Sequence, residues 1–372
     1  MLPTIKKSQM KKFNNTKSFF EHMKMADSER IHSEFISWFF SDDCQAITEK
    51  QRIKTLNNIF KLRETDKILN IGTEIDKIDI FIETNNHILI IENKLKSSQH
   101  SNQLSEYKKN IEFKYPKKQH QFIFLTLIKE QAKSDGWIHI SYHDLRNFLE
   151  KLELTKHRHS IFIHEYVIYL NRLLYILDEV INKPKEYDSV FINGSLKKSD
   201  KLHHNYKNNK EKFIAENQLE TIFQKAFLTD ILAHKSFFKF NAFVTETRGV
   251  ALVDFSLKRD INYNNRIYTT FIQMQGANLK FSFAIQDNYI KSKKEWIVEI
   301  IEIFKSYKHK FGYKRINSPK SKAYVSLSKK MEKPYWLLEN NEFYSIINTE
   351  IENGIKLSNI LISDIEKVSN NR

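Results

Sequence analysis

Apolar positions along the chain first follow a helical period. From Glu29 to Phe40, Ile31, Phe35, Trp38 and Phe39 fall at i, i+4, i+7 and i+8, which predicts a helix with one buried stripe. A second helix is expected over about Ile47 to Leu62. The period then drops towards two through Ile68–Ile75, Ile78–Glu83 and His87–Lys94, as in strands. A polar, helix-compatible stretch from about Asn102 to Phe113 stops before Pro116. Strands are expected at Gln121–Ile128 and Trp137–Tyr142, and a long helix at Ser160–Ile181. The order predicts a mixed α/β layer domain over residues 1–182.

Residues 183–212 are polar, basic and poor in periodicity, which predicts a linker. Residues 213–372 read as a smaller α+β domain. It opens with an amphipathic helix over about Phe213–Lys235, followed by four strand-like runs. Breaks at Arg248-Gly249, Asn264-Asn265 and Gly276-Ala277-Asn278 space these runs as an antiparallel meander. A helix over Lys294–Lys308, a strand over Ala323–Leu327 and a last helix complete the pattern.

Composition narrows the function classes. No apolar run approaches the roughly 18 to 20 residues a membrane span needs, and no apolar segment follows the basic N-terminus as in a signal peptide. The single cysteine, Cys44, excludes an internal disulfide framework and a thiolate zinc site, so a cytoplasmic protein is expected. Lys and Arg number 60 against 45 Asp and Glu, a net charge of +15 that attracts polyanions, nucleic acid first. The richness in Lys, Asn and Ile with only 7 Gly is also what an AT-rich genome would encode.

Within the apolar strands Ile78–Glu83 and His87–Lys94, three charges stand out: Asp79, Glu92 and Lys94. Asn85-Asn86 reads as a two-residue turn, since Asn tolerates left-handed backbone angles. That register sets Asp79 opposite Glu92 and Lys77 opposite Lys94. Like charges paired across strands are destabilising unless a cation lies between them, and Mg2+ takes one or two carboxylates plus water. Glu92 and Lys94 share a strand face, and the Asn93 carbonyl offers a further oxygen. The competing reading is a solvated strand end. Glu34 is read into the buried stripe of the first helix, where a carboxylate needs a metal or an ion-pair partner. Gln103 and Tyr107, four apart, share a helix face.

Together these residues resemble the PD-(D/E)XK nuclease superfamily over about Glu29 to Tyr166. The resemblance rests on RIHSEF from Arg30 to Phe35, on Asp79 followed by Glu92-Asn93-Lys94, and on Gln103 with Tyr107, as in the RecB-like branch. Ile78 stands where the motif has proline, a departure many members share. The resemblance implies a restriction-endonuclease-like αβββαβ core. It further implies Mg2+ (or Mn2+) held by Asp79, Glu92, Asn93 and Glu34, and catalysis served by Lys94, Gln103 and Tyr107. The expected reaction is phosphodiester hydrolysis, in DNA sooner than RNA, in bacterial restriction, repair or antiviral defence. The rivals are an RNA-cleaving effector and a non-catalytic nucleic-acid- or protein-binding module on a nuclease fold.

Other signals are weaker. His157-Arg158-His159 and His203-His204 lack partners at ligand spacing, no phosphate-cradling glycine loop occurs, and Ser195 lacks a nucleophile-elbow context. The run Lys305–Lys333 holds Lys308, Lys310, Lys314, Arg315, Lys320 and Lys322 among aromatic residues, with Glu332 its one acid. It reads either as a nucleic-acid surface or as a solvated helix end and loop. A protein partner or a second copy is expected to meet the C-terminal domain, and no membrane.

Overall fold

The computed structural model describes residues 17–23, 28–62, 67–95, 103–130, 132, 134–192, 206–263, 266–286, 295–318 and 323–370. The chain divides into two compact units, Met1–Asn182 with Leu196–Ala226, and Lys183–Ser195 with Phe227–Arg372.

In the first unit a short helix α1 (Phe19–His22) precedes α2 (Glu29–Phe40) and α3 (Glu49–Phe60). Strands β1 (Ile68–Ile75), β2 (Ile78–Thr84) and β3 (His87–Lys94) follow, then α4 (Gln103–Lys114), β4 (Gln119–Thr126) and β5 (Trp137–Ser141). Helices α5 (Tyr142–Glu150) and α6 (His159–Asn182) come next. The five strands lie in chain order: β1, β2 and β3 antiparallel, β4 and β5 parallel to β3. A parallel step needs a crossover, and α4 supplies it between β3 and β4. Every residue of β3 is buried, as a central strand covered on both faces requires.

The turns differ from expectation. Asp76 and Lys77 join β1 to β2 with φ of 54° and 67°, the left-handed pair whose twist suits a two-residue hairpin. Asn85 and Asn86 keep ordinary negative φ. Their turn is held instead by the Thr84 hydroxyl, which accepts the His87 N–H at 2.9 Å. Lys118 adds bonds to the carbonyls of Thr84 and Asn85.

Residues 183–212 carry local structure: a 3-10 turn at Pro184–Glu186, helix α7 (Asp188–Ile192) and the start of α8 (Asn209–Glu216). Residues 193–205, with His203, His204 and Ser195, lie outside the described residues. The helix expected over Phe213–Lys235 is two, α8 and α9 (Glu220–Leu232). Gln218 turns left-handed (φ 52°) and Leu219 bonds back to the Ile214 carbonyl, which ends α8.

The second unit holds β6 (Ala242–Thr247), β7 (Val250–Tyr263), β8 (Arg266–Gln275) and β9 (Asn278–Ile285) as the expected meander. Helix α10 (Glu295–Tyr307), β10 (Arg315–Asn317), β11 (Tyr324–Lys330) and α11 (Asn340–Asn370) complete it. The sheet runs β10-β11-β9-β8-β7-β6, and β10 was not legible in the sequence. Helices cover one face: Phe304 packs on Phe281, and Ser358 bonds Thr270 at 2.9 Å. Gly354 lets α11 approach, because a Cβ there would meet Leu257 at 2.7 Å and Ile272 at 3.0 Å.

Candidate active site

Ile80 lies opposite Ile91 and Glu83 opposite Ile88, so continuing the register would set Asp79 against Glu92. The ladder stops at Ile80, and the Asp79 carboxylate caps it by accepting the Asn93 N–H at 2.7 Å. Lys77 sits in the β1–β2 turn, not opposite Lys94 as the register had predicted. Glu92 is 0% exposed and Lys94 8%. Lys94 Nζ touches Glu92 Oε1 at 2.6 Å, yet neither Glu92 oxygen receives a well-directed hydrogen bond among the described residues.

The electrostatics follow from that crowding. Burial, then the neighbouring Asp79 charge, pushes the Glu92 carboxyl up to about 7. Burial also raises Asp79, against the pull of the Asn93 N–H and Lys94. Burial alone would lower Lys94, but the Glu92 and Asp79 carboxylates outweigh it and hold the ammonium above its usual range.

Asn93 works on the other face of β3. Its side-chain amide donates to the Glu29 carbonyl at 3.1 Å and to Ser33 Oγ at 3.0 Å. Its amide oxygen accepts from the buried Tyr142 hydroxyl at 2.7 Å. One side chain thus ties β3 to α2 and α5 and sets the start of α2 beside the site. There the Glu29 carboxylate adds its negative field to Asp79, Glu92 and Lys94 alike.

Glu29 was missed in the sequence, and Glu34 corrects the reading of α2. The buried face of this helix is centred on His32, Ser33, Ile36 and Phe40, with Ile31 and Trp38 only half-buried. Glu34 is exposed, accepts from Thr73 Oγ1 at 2.8 Å and lies 3.7 Å from Arg30. Polar Ser33 and His32 hid the face from hydrophobic patterning, although Glu29 is in phase with Ser33, Ile36 and Phe40.

Gln103 and Tyr107 lie on one face of α4 as expected. Gln103 Nε2 donates to the Tyr107 hydroxyl at 2.7 Å, and that hydroxyl donates to the Lys77 carbonyl at 2.7 Å. Burial, with the fields of Glu92 and Asp79, raises the Tyr107 hydroxyl, opposed by Gln103 and Lys94. Gln103 Oε1 is buried without a hydrogen bond among the described residues.

No group of three His, Cys, Asp or Glu side chains gathers at metal-ligand spacing among the described residues. The fit to a divalent cation rests on the pair: a buried carboxylate without directed hydrogen bonds, Glu92, and a half-buried one, Asp79, suit a hard ion that takes one or two carboxylates. His157 and His159 make local turn contacts, His157 Nδ1 accepting the His159 N–H at 3.3 Å.

In the second unit Lys310, Lys314 and Arg315 are exposed and Lys308 half-buried, while Lys320 and Lys322 lie outside the described residues. Tyr313 is buried, and Lys329 lies over its ring at 5.0 Å while pairing with Glu350 at 2.6 Å. That aromatic belongs to the core, not to a stacking surface as the sequence had suggested.

Residues 17–171 match the family model of the PD-(D/E)XK nuclease superfamily. No curated protein and no solved structure matches the chain. The matched span runs from α1 into α6 and contains the whole five-stranded sheet with Asp79, Glu92 and Lys94. The chain is thus similar to the PD-(D/E)XK nuclease superfamily over its N-terminal half.

Proposed function

We propose that the protein is a divalent-cation-dependent nuclease that hydrolyses phosphodiester bonds of DNA, with Mg2+ or Mn2+ as its ion. The observation that carries this reading is the pair of buried Glu92 and half-buried Asp79 with Lys94 against Glu92, inside the span that matches the nuclease superfamily. Asp79 and Glu92 would hold the ion. The Asn93 carbonyl is a third donor, because in a strand it points to the same edge as the Asn93 N–H that Asp79 binds. When bound, the ion supplies charge stabilisation at the phosphate and lowers the pKa of water.

The side chains do the rest. Lys94, held as an ammonium by its two carboxylates, orients the attacking water and presents positive charge to the phosphate. The raised Glu92 carboxyl must give up its proton before it can take the ion. Tyr107 and Gln103 brace α4 against the β1–β2 turn beside the site, and Asn93 holds Glu29 near. The charge of +15 draws the polyanion, with Lys308, Lys310, Lys314, Arg315, Lys320 and Lys322 among the groups that meet its phosphates. Restriction, repair or defence against phage in a bacterial cytoplasm is the setting this similarity suggests.

Incubation with linear, circular and single-stranded DNA and with RNA, in Mg2+ and in EDTA, tests the proposal. DNA is expected to be cut only with Mg2+, and Asp79→Ala and Lys94→Ala to lose roughly 10²-fold or more in rate. RNA cut in preference to DNA moves the substrate to RNA. No cleavage, or variants as active as wild type, contradicts the enzyme reading.

A further inference from the structure

The face of the second sheet opposite its helices carries an ordered polar row. Phe243, Asp254, Gln273, Lys280, Ser328 and Arg315 are directly paired in sequence across β6, β7, β8, β9, β11 and β10. Paired residues point to one face, so the row crosses all six strands, about 24 Å at the usual strand spacing. It is internally bonded. Gln273 Nε2 donates to Asp254 Oδ1 at 3.0 Å, and Lys280 Nζ to Gln273 Oε1 at 3.2 Å. Asn317, two residues along from Arg315, donates to Ser328 Oγ at 2.9 Å.

The solvated face of an antiparallel sheet is commonly polar. This one differs. Phe243 is 46% exposed, and Phe271 and Tyr324, at positions of the same parity as Gln273 and Ser328, are half-buried on it. Arg315 and Lys330 are exposed and Lys280 half-buried, against Asp254, whose carboxylate is turned to Gln273. Upturned aromatics, amides and an excess of cations on an open sheet fit unpaired bases and their phosphates. The bases of a duplex are already stacked inside it and cannot lie on such rings.

We propose that this face is a platform for single-stranded nucleic acid. Phe243, Phe271 and Tyr324 stack bases, Gln273, positioned by the buried Asp254, meets base edges, and Lys280, Arg315 and Lys330 bind phosphates. The proposal rests on the nuclease reading for the class of ligand and adds the form of the substrate and the surface that holds it.

Fluorescence anisotropy of the full chain in EDTA tests it, with labelled single-stranded DNA, single-stranded RNA and the matching DNA duplex. A single strand is expected to bind tighter than the duplex. Phe243→Ala, at an exposed position, should weaken it about ten-fold with unchanged thermal unfolding. Lys280→Gln should lower the slope of log affinity against log salt. No binding, a preference for duplex, or both variants binding as wild type overturns the platform. Because binding is read without metal, a chain that binds this way but cuts nothing overturns only the nuclease reading.

Discussion

The charges of β2 and β3 were legible because they break apolar strands: Asp79 stands between Ile78 and Ile80, and Glu92 and Lys94 follow Ile90 and Ile91. Which helix acid joins them was not, because the exposed and buried faces of α2 are told apart by Ser33 and His32, polar residues buried by their bonds. Asn93 shows the same limit. The sequence offered its carbonyl, while its side chain turned out to be the tie to Glu29, Ser33 and Tyr142. Glu29 lends its field to the site and Glu34 faces solvent, so their variants should differ. Glu29→Gln is expected to slow cleavage and shift its pH profile, whereas Glu34→Gln should leave both near wild type. Initial rates over pH 6 to 9 decide it, and equal effects of the two variants would contradict the assignment.

At the scale of elements, strands and their order followed from periodicity, since burial on both faces leaves an unmistakable apolar run in β2 and β3. Turns were harder, because what fixes Asn85-Asn86 is the Thr84 hydroxyl and a sequence-distant lysine, not left-handed Asn backbone. The polar row of the second sheet was invisible too, since register joins residues as far apart as Phe243 and Arg315. One member of that row has a thermodynamic consequence. Burial raises the Asp254 carboxyl from 3.8 to about 6, against its bond from Gln273 and the field of Lys280. A folded pKa above the unfolded one gives stability that is present below about pH 4 and lost as pH rises through about 6. The loss is on the order of 3 kcal/mol. Asp254→Asn does not titrate, so urea unfolding should show its stability relative to wild type improving from pH 4 to pH 7. A constant difference across that range would contradict the buried, raised carboxyl.

Across the whole molecule, the chain is strongly basic while the end of β3 is locally acidic, with Asp79, Glu92 and Glu29 acting on one another. A polyanion is drawn to the protein yet repelled at that spot, which a bound cation reverses. The two-unit division and the helices within residues 183–192 and 209–216 were only partly legible, because a polar, basic composition does not exclude short helices. The central claim is that Asp79 and Glu92 hold a divalent ion, and calorimetric titration with Mn2+ tests it directly. Because Glu92 holds its proton up to about 7, binding should release more proton at pH 6.5 than at pH 8.5, read from buffers of different ionisation heat. Wild type should bind with that pattern, and Glu92→Gln and Asp79→Ala should lose binding. Heats that match in all three proteins, or no binding by wild type even with nucleic acid present, would contradict the account.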